Sequence, residues 1–331
     1  MPLAPRQPER VLFWSVSVAA LVSLVALLRT PADTFLWKSL FDAGHAVMSG
    51  YLALVFLRLI VAWNGHPRST SPDYVLAFSL TTASGLGIEI VQIFLPRDAD
   101  VADLLRNVLG ASALLLAAWA CERDPGGPFR RGWLVRLVAL PCSVLLFAIA
   151  FVPVARVLAS YAQRDAALPR LCDFEASWER LFIDMWEADL ERIPEPEGWG
   201  DGSPAHRRSA GKAGRVTFHP ASYPRFVLRE PSPDWTGYRD LVFQVYSDLA
   251  APVKIVLRID DVHHDMVRYT DRFNRELTVN PGANTFRISL AEVRSALQGR
   301  TMDMRRIARI VVFAVEPTAP FSLTLDAFHL E

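Results

Sequence analysis

Eight polar side chains are set into apolar segments in the first third of the chain, and their types could move protons or hold an anion. They fall at the start of one segment, the end of the next and the start of a third, so an alternating membrane topology brings them to one face of the membrane. Ionisable groups at membrane depth cost roughly 2.5 to 3.5 kcal/mol each. The sequence therefore predicts one site. Its members are Asp42, His45, Glu89, Gln92, Arg97, Asp100, Asp103 and Asn107.

The spacing within each segment gives this predicted site its shape. At separations of three or four residues, the members of a pair share one face of a helix, so three such faces can converge. The pairs are Asp42 with His45, Glu89 with Gln92, and Asp103 with Asn107.

Two interpretations of the converging faces stay open. In the first, His45 and Glu89 form a proton-handling couple, and Arg97 holds an anionic headgroup or phosphate through its planar fork of donors. Asp103 or Asp100 would then orient a ligand or bind a cation. In the second, the polar groups only join the helices through buried hydrogen bonds, at about 0.6 to 2 kcal/mol each.

Five apolar segments would position these side chains. Each is near the roughly 20 residues that a helix needs to cross about 30 Å of hydrocarbon. The first is interpreted as a retained helix rather than a signal peptide, because four more follow it. The distribution of arginine between alternate loops predicts a cytoplasmic N-terminus, with residues after about 160 outside the cytoplasm. The prediction is a multi-pass inner (cytoplasmic) membrane domain over 1–156, with spans at 11–28, 44–63, 74–95, 104–121 and 133–154.

The membrane half resembles a known family through the order of its polar residues. Over residues 35–121 this order is similar to that of the VanZ-like family of small membrane proteins, named from a teicoplanin-resistance protein. The resemblance implies a bacterial envelope protein linked to glycopeptide tolerance. Ala43 departs from the family's frequent lysine, and Leu114 from its second glycine. The pattern reads Asp42-x-x-His45, Glu89-x-x-Gln92, Arg97, Asp100 and Asp103-x-x-x-Asn107-x-x-Gly110.

The second half has short alternating apolar runs separated by turn residues such as Asn280-Pro281-Gly282. About eight strands at close spacing, with one short helix near 291–298, predict an all-β, antiparallel sandwich. The predicted strands are 214–219, 224–229, 240–247, 253–260, 273–279, 284–290, 307–315 and 321–330. We assign 213–331 to the sandwich, which starts near 170.

Residues 157–212 are predicted to be a linker that also carries the first strand. An apolar stripe at helical spacing follows Asp173, and a helix there would lie in the outer membrane interface or pack on the sandwich. Residues 194–212 are predicted to be a loop because they are rich in Pro, Gly and charge. The stripe consists of Trp178, Leu181, Phe182, Met185 and Trp186.

One face of two predicted strands is polar enough to bind a sugar. Strand alternation places Arg258, Asp260, Arg272 and Asn274 on one side, and planar donors and acceptors suit hydroxyl groups. Aromatic rings nearby would supply a platform. The alternative is an ordinary ion-paired sheet face. Neighbouring loop residues added to this predicted surface are Trp235, His263, His264 and Tyr269.

The sandwich half also resembles carbohydrate-binding modules with the galactose-binding-like jelly-roll fold. The resemblance covers roughly 170–331 and implies a structural Ca²⁺ held by Asp173, Glu175 and Asp326 near the closing strand. The matching order is Asp173-Phe174-Glu175, Asp234-Trp235-Thr236-Gly237-Tyr238, Arg258-Ile259-Asp260-Asp261, Asp271-Arg272-Phe273-Asn274, Pro281-Gly282-x-Asn284 and Leu325-Asp326.

Three functions from different classes remain open. The first, which we favour, is a non-enzymatic envelope protein that meets the lipid bilayer and recognises a glycan or glycolipid. The second is a membrane enzyme acting on a lipid-linked or phosphorylated precursor, although no nucleophile motif or phosphate loop supports it. The third is a transporter or assembly factor. The 35 basic and 35 acidic residues balance, and no nucleic-acid partner is predicted.

Overall fold

A computed structural model describes residues 8–27, 33–65, 68–93, 101–122, 133–196, 199, 211–265 and 267–331. The chain divides into two compact units, Met1–Leu158 and Ala159–Glu331. The first unit is helical and the second is built on β-strands.

Five long helices form the first unit, and the fifth continues into the second. Three of them are long and apolar enough to cross a membrane: Phe35–Asn64, Val101–Cys121 and, within the fifth helix, Val135–Ala167. The prediction that the other two helices also span a membrane stays a prediction. The helices are α1 (Pro8–Leu27), α2 (Phe35–Asn64), α3 (Ser71–Ile93), α4 (Val101–Cys121) and α5 (Trp133–Ala167).

Helices α2 and α4 approach each other through two glycines. A Cβ atom added at Gly110 would lie 1.8 Å from the carbonyl oxygen of Ala46, and one added at Gly50 would lie 2.7 Å from the carbonyl oxygen of Gly110. No side chain fits at such distances. The backbones are therefore in direct contact, as in helix pairs joined through small residues.

The second unit is an antiparallel β-sandwich, as predicted. Its six-stranded sheet has the order β3-β4-β11-β6-β9, with β1 also pairing with β11, and its five-stranded sheet has the order β2-β5-β10-β7-β8. A short helix, α6 (Leu290–Ser295), follows β9. The strands are β1 (Arg170–Cys172), β2 (Ile183–Trp186), β3 (Ala188–Pro194), β4 (Lys212–Phe218), β5 (Arg225–Arg229), β6 (Asp240–Ser247), β7 (Val253–Asp261), β8 (Phe273–Val279), β9 (Gly282–Ser289), β10 (Ile307–Phe313) and β11 (Phe321–Leu330).

The sandwich core lies between the two sheets. Phe243 and Phe328 of the six-stranded sheet stack with ring centroids 4.9 Å apart, and Phe226 of the other sheet stacks on Phe328 at 5.9 Å. All three rings are fully buried. Alternate residues of each strand face this core, which is why the period-2 runs located all eight predicted strands to within two residues at either end.

The amphipathic helix expected after Asp173 does not form. The structure has a 3-10 helix, Ser177–Phe182, followed directly by β2. Phe182 is buried and packs edge to face against Trp178, so the stripe packs on the sandwich. As a strand, β2 pairs with β5 in an antiparallel ladder over its whole length. A helix over Met185 and Trp186 would lose this pairing.

The segment predicted as a linker therefore contributes sheet structure. Strands β1, β2 and β3 all lie between residues 170 and 194. Most of the predicted 194–212 loop is outside the described residues. The buried carboxylate of Glu179 holds the turn before β2, because it accepts hydrogen bonds from the backbone N–H groups of Asp173 (3.0 Å) and Ala176 (3.2 Å).

Candidate functional site

A polar cluster joins α2 and α4 near the start of both helices. His45 Nε2 lies 3.7 Å from Asp103 Oδ2. Arg106 forms an ion pair with Asp103 one turn earlier, and its Nη2 lies 3.9 Å from Asp42 Oδ2. Two carboxylates, a guanidinium and an imidazole thus lie together across the helix pair, where each has a polar neighbour.

One turn deeper, Asn107 bonds across the same helix pair. Ser49 Oγ donates to Asn107 Oδ1 at 2.7 Å, and both side chains are buried. Helix α3 reaches the same point, because a Cβ atom added at Gly85 would lie 2.8 Å from Asn107 Nδ2. Three helices therefore meet at Asn107.

The structure brings together only part of the predicted membrane set. Glu89 on α3 is buried, and the carboxylate 3.7 Å from His45 is that of Asp103; a proton-handling couple of His45 with Glu89 stays a prediction. Ser49 and Arg106 join the cluster although neither was in the predicted set. Arg97, Asp100 and the side chain of Gln92 lie outside the described residues.

A second candidate site is the outward face of the five-stranded sheet, which we call the arginine face. Its side chains alternate with the core residues Ile255, Leu257 and Ile259, all fully buried. The registers of four strand pairs align two rows across the sheet. One row is Trp186, Arg225, Phe313, Val256 and Glu276, and the next is Asp184, Val227, Val311, Arg258 and Asn274.

A buried carboxylate organises the centre of the arginine face. Asp260 is fully buried and accepts from Arg258 Nε at 2.9 Å and from Arg309 Nε at 2.8 Å. Because a guanidinium is a rigid planar fork, fixing its Nε fixes the direction of its remaining N–H groups. Asp260 therefore orients two arginines that come from neighbouring strands, β7 and β10.

His264 supports Arg258 from the loop that follows β7. Its Nε2 lies 2.8 Å from Arg258 Nη2, and its Nδ1 lies 2.7 Å from the carbonyl oxygen of Asp271. A guanidinium only donates hydrogen bonds, so Nε2 accepts and Nδ1 carries the proton that it donates to Asp271. This assigns His264 a positioning role.

The loop carrying His264 is held by a separate ion-pair network. Arg300 donates to both Asp261 and Asp271. These bonds from Arg300, with one from the backbone N–H of Asp265, lower the pKa of Asp271 to about 2. The loop from Asp261 to Asp271 is therefore closed on itself, and it presents Tyr269 beside the sheet.

Aromatic rings carry two of the remaining arginines. The Arg225 guanidinium carbon lies 5.1 Å from the centre of the Trp186 ring, and that of Arg272 lies 4.3 Å from the centre of the Tyr269 ring. Trp186 is 57% exposed and Tyr269 is 69% exposed. Tyr223 adds a third half-exposed ring, in edge-to-face contact with Phe313.

Polar atoms on this face are buried without hydrogen-bond partners among the described residues. They are Arg272 Nε and Asn274 Oδ1. A buried polar group without a partner costs about 1 to 3 kcal/mol, so the side chains of Arg272 and Asn274 each have one hydrogen-bonding atom that the described residues leave unsatisfied.

The charges of this face also repel one another. The pKa of Arg225 is lowered from its ordinary value, first by burial and then by Arg258, while Glu187 and Asp184 act in the opposite direction. The pKa of Arg272 is lowered by burial and by Arg258 as well, and Asp260 opposes this. Arg258 therefore repels both of its arginine neighbours.

Two residues of the predicted sugar surface lie elsewhere. Trp235 is in the core, 1% exposed, with its Nε1 donating to the carbonyl oxygen of Ser232 at 2.8 Å. Its indole is too large and apolar to be left in solvent when a pocket is open to it. His263 points toward Asp303, with 3.7 Å between Nε2 and Oδ2.

The sequence pattern predicts Arg258, Asp260, Arg272, Asn274 and Tyr269 in one surface, and the structure brings these five together. The pattern does not indicate the side chains contributed by β2, β5, β10 and the turn before β5. Strand alternation could have shown that Arg225 and Arg309 lie on one face of their strands. Only the strand order shows that these strands belong to the same sheet as β7. The missed residues are Trp186, Tyr223, Arg225, Arg309 and Phe313.

The three carboxylates of the predicted calcium site lie near one another in the six-stranded sheet region. Burial, followed by Glu195, Asp173 and Glu175, raises the pKa of Asp326 to about 8, and its Oδ1 makes no hydrogen bond within the described residues. Clustered oxygen donors suit Ca²⁺. However, Arg170 holds Asp173 at 2.7 Å, and across the described residues no three acidic, His or Cys side chains are grouped as metal ligands.

The chain matches no protein-family model and no curated protein. Among solved structures it is similar to a family 11 carbohydrate-binding module from Clostridium thermocellum in complex with a β-1,3-1,4-mixed-linked tetrasaccharide. The identity is 16%, the TM-score 0.36, and the match covers 49% of this chain and 93% of that chain.

Two further solved structures are similar at the same level. An exo-β-agarase gives 15% identity and a TM-score of 0.39, covering 49% of this chain and 24% of that one. A family 30 carbohydrate-binding module from Clostridium thermocellum gives 12% and 0.29, covering 45% and 92%. With TM-scores below 0.5, these similarities say nothing about the ligand of this chain.

Proposed function

We propose that this chain is a non-enzymatic bacterial envelope protein whose β-sandwich recognises a glycan through the arginine face. The observation that carries the proposal is the combination of exposed rings and partly exposed polar side chains on one flat sheet face. Trp186 and Tyr269 offer apolar planes for the C–H face of a sugar ring. The partly exposed side chains of Arg272 and Asn274 offer further donors and acceptors for hydroxyl groups.

Removing either platform ring should weaken glycan binding about tenfold. Trp186→Ala or Tyr269→Ala takes away the stacking plane and roughly 1 to 1.5 kcal/mol of contact, while the sandwich core stays intact because both rings are mostly exposed. The measurement is the affinity of the full chain, in nanodiscs, for whichever glycans of an array it binds.

The matched control is Tyr238→Ala, which removes a partly exposed ring just before β6 of the other sheet and should leave affinity within twofold. An array with no bound glycan would refute the proposal. Equal affinity of all three variants and the wild type would place the glycan on another surface.

We further propose that the helical half anchors the chain in the inner membrane. Large apolar side chains point outward from several helices, such as Val75, Leu105, Val144 and Leu145, each at least 59% exposed. Soluble proteins rarely expose apolar patches of this size. The proposed orientation puts the sandwich outside the cytoplasm, so a phosphatase fused after Glu331 should be active in intact cells.

The cluster of His45, Asp103, Arg106 and Asp42 is proposed to be the membrane counterpart of the sheet face, holding the lipid-linked end of a glycan. Its support is the VanZ-like order of polar residues and the convergence of three helices at Asn107. Arg106 is the residue of this cluster suited to an anionic headgroup, because its fork binds phosphate oxygens two at a time.

The buried carboxyl group of Asp326 is proposed to make the stability of the sandwich depend on pH. With a folded pKa of about 8 and an unfolded value near 3.9, Asp326 keeps a proton in the folded state that the unfolded chain releases. Its stabilising effect is complete below pH 4 and is lost as the pH rises through 8.

The melting temperature of the sandwich should therefore fall between pH 6 and pH 9. Asp326→Asn, which has no proton to lose, should flatten this fall. An equal fall in Asp326→Asn and in the wild type would contradict this role of Asp326.

A further inference from the structure

We propose that the glycan bound by the arginine face is acidic, and that Arg225, Arg258 and Arg272 bind its carboxylate, sulfate or phosphate groups. This inference rests on the proposed glycan binding and names the chemical class of the sugar. A neutral sugar would satisfy the hydrogen bonds of the face but not its charge.

The first support is the count of charges at the centre of the face. Four arginines, Arg225, Arg258, Arg272 and Arg309, come from β5, β7, the start of β8 and β10. The carboxylate at their centre, Asp260, is fully buried beneath them and bonds to two of them. Asp184 adds one carboxylate at the edge of the sheet, and Glu276 is paired with Lys254 at 2.7 Å, so the arginines still outnumber the free carboxylates of the face.

The second support is that two of these arginines have no acidic partner. Within the described residues, neither Arg225 nor Arg272 has a carboxylate within 4 Å, and their recorded contacts are with aromatic rings. Both are partly buried, and Glu187 and Asp184 act on Arg225, and Asp260 on Arg272, only from beyond this distance. A cation that has lost water without gaining an anion is costly, whereas a charge-assisted bond to a carboxylate is roughly twice as strong as a neutral one.

The third support is the repulsion of Arg225 and Arg272 by Arg258, which Glu187, Asp184 and Asp260 oppose. An anion between them would remove this repulsion, while a neutral hydroxyl would not. The face is therefore complementary in charge to a ligand that brings at least one negative group into the row formed by Arg225 and its neighbours.

The flanks of the face favour a glycan over a densely charged polymer. Asp184 and Glu276 lie at the two edges, and both are exposed. They would repel a backbone with a phosphate at every unit, as in a nucleic acid. A chain of sugars with one carboxylate per one or two rings can place neutral hydroxyls there, and its rings can stack on Trp186 and Tyr269.

The test compares polymers that differ only in charge. The full chain, in nanodiscs of phosphatidylcholine, is titrated with polygalacturonate, alginate and hyaluronate, and with the methyl ester of each. We expect binding of at least one acid form, at least tenfold weaker binding of its ester, and at least fivefold weaker binding at 500 mM NaCl than at 50 mM.

Two variants then locate the binding. Arg225→Gln and Arg272→Gln should each weaken the bound polyuronate about tenfold. Arg215→Gln is the control, since Arg215 is an exposed, ion-paired arginine on the other sheet, and its affinity should stay within twofold. The comparison of acid with ester uses the wild-type chain, so it decides the question even if a variant unfolds.

The outcomes separate the two proposals. Equal binding of acid and ester, or binding only of neutral array glycans, would overturn the acidic assignment and leave glycan recognition standing. Binding of no glycan at all would overturn both. Duplex DNA or phosphatidylglycerol vesicles bound as tightly as the polyuronate, with the same arginine dependence, would mean a general polyanion surface and would also overturn the inference.

Discussion

Replacing Gly110 by alanine is expected to unfold the helical unit, although only one methyl group is added. The new Cβ would lie 1.8 Å from the carbonyl oxygen of Ala46, and the colliding atom belongs to a helix backbone that cannot rotate away. Helices α2 and α4 would have to separate along their length, breaking the bond from Ser49 to Asn107. Overpacking usually costs about 1 to 3 kcal/mol, and this backbone collision should cost more.

Gly44→Ala is the matched control, because it lies in α2 and a Cβ there meets nothing within 4 Å. It should be neutral, or stabilising by up to about 1 kcal/mol through helix propensity. The measurement is the amount of monodisperse full chain in detergent and its thermal midpoint. Similar behaviour of the two variants would show that α2 and α4 do not touch at Gly110.

Replacing Asp260 by alanine should destabilise the sandwich by about 3 kcal/mol and also weaken ligand binding. Removing one partner of a buried ion pair typically costs 3 to 5 kcal/mol, and here Arg258 and Arg309 would lose the same counter-ion. For a unit of this size the melting temperature should fall by roughly 6 to 12 °C. Because Arg258 would lose its fixed direction, affinity for the glycan should fall at least tenfold.

The control for this variant is Asp248→Ala, which breaks an exposed ion pair with Arg215 at 3.1 Å on the other sheet. Exposed pairs contribute about 0 to 1 kcal/mol, so the melting temperature should move by no more than roughly 3 °C. If Asp260→Ala melted as high as this control, the carboxylate would not organise the arginine face.

The polar half of the arginine face was predictable because alternation is a local property of a strand. Arg258 and Asp260 are two residues apart in one run, and Asn274 lies in the next run along the chain, so the period-2 rule was enough to place them together. Their partner Arg309 lies 49 residues beyond Asp260. Its place beside β7 depends on the strand order, which no local pattern contains.

Trp186 shows why a periodic pattern can mislead. Trp178, Phe182 and Trp186 are four residues apart, which fits a helix, but the last of them lies in a strand. A short apolar run fits both the helical period of 3.6 residues and the strand period of 2. The long-range pairing with β5 decides between helix and strand. The same limit applies to His45: helical spacing fixes the face on which it lies, but the packing of α2 on α4 selects Asp103 as its partner.

The position of β11 also sets the timing of folding. This strand lies between β4 and β6 and pairs with β1, so Arg170 aligns with His329 across 159 residues of chain. Contacts between such distant segments form slowly. The six-stranded sheet lacks the strand between β4 and β6 until Phe321–Leu330 has been synthesised and, in the proposed topology, exported. The sandwich therefore closes only after its last strand has been translated, and in the proposed topology it would cross the membrane unfolded.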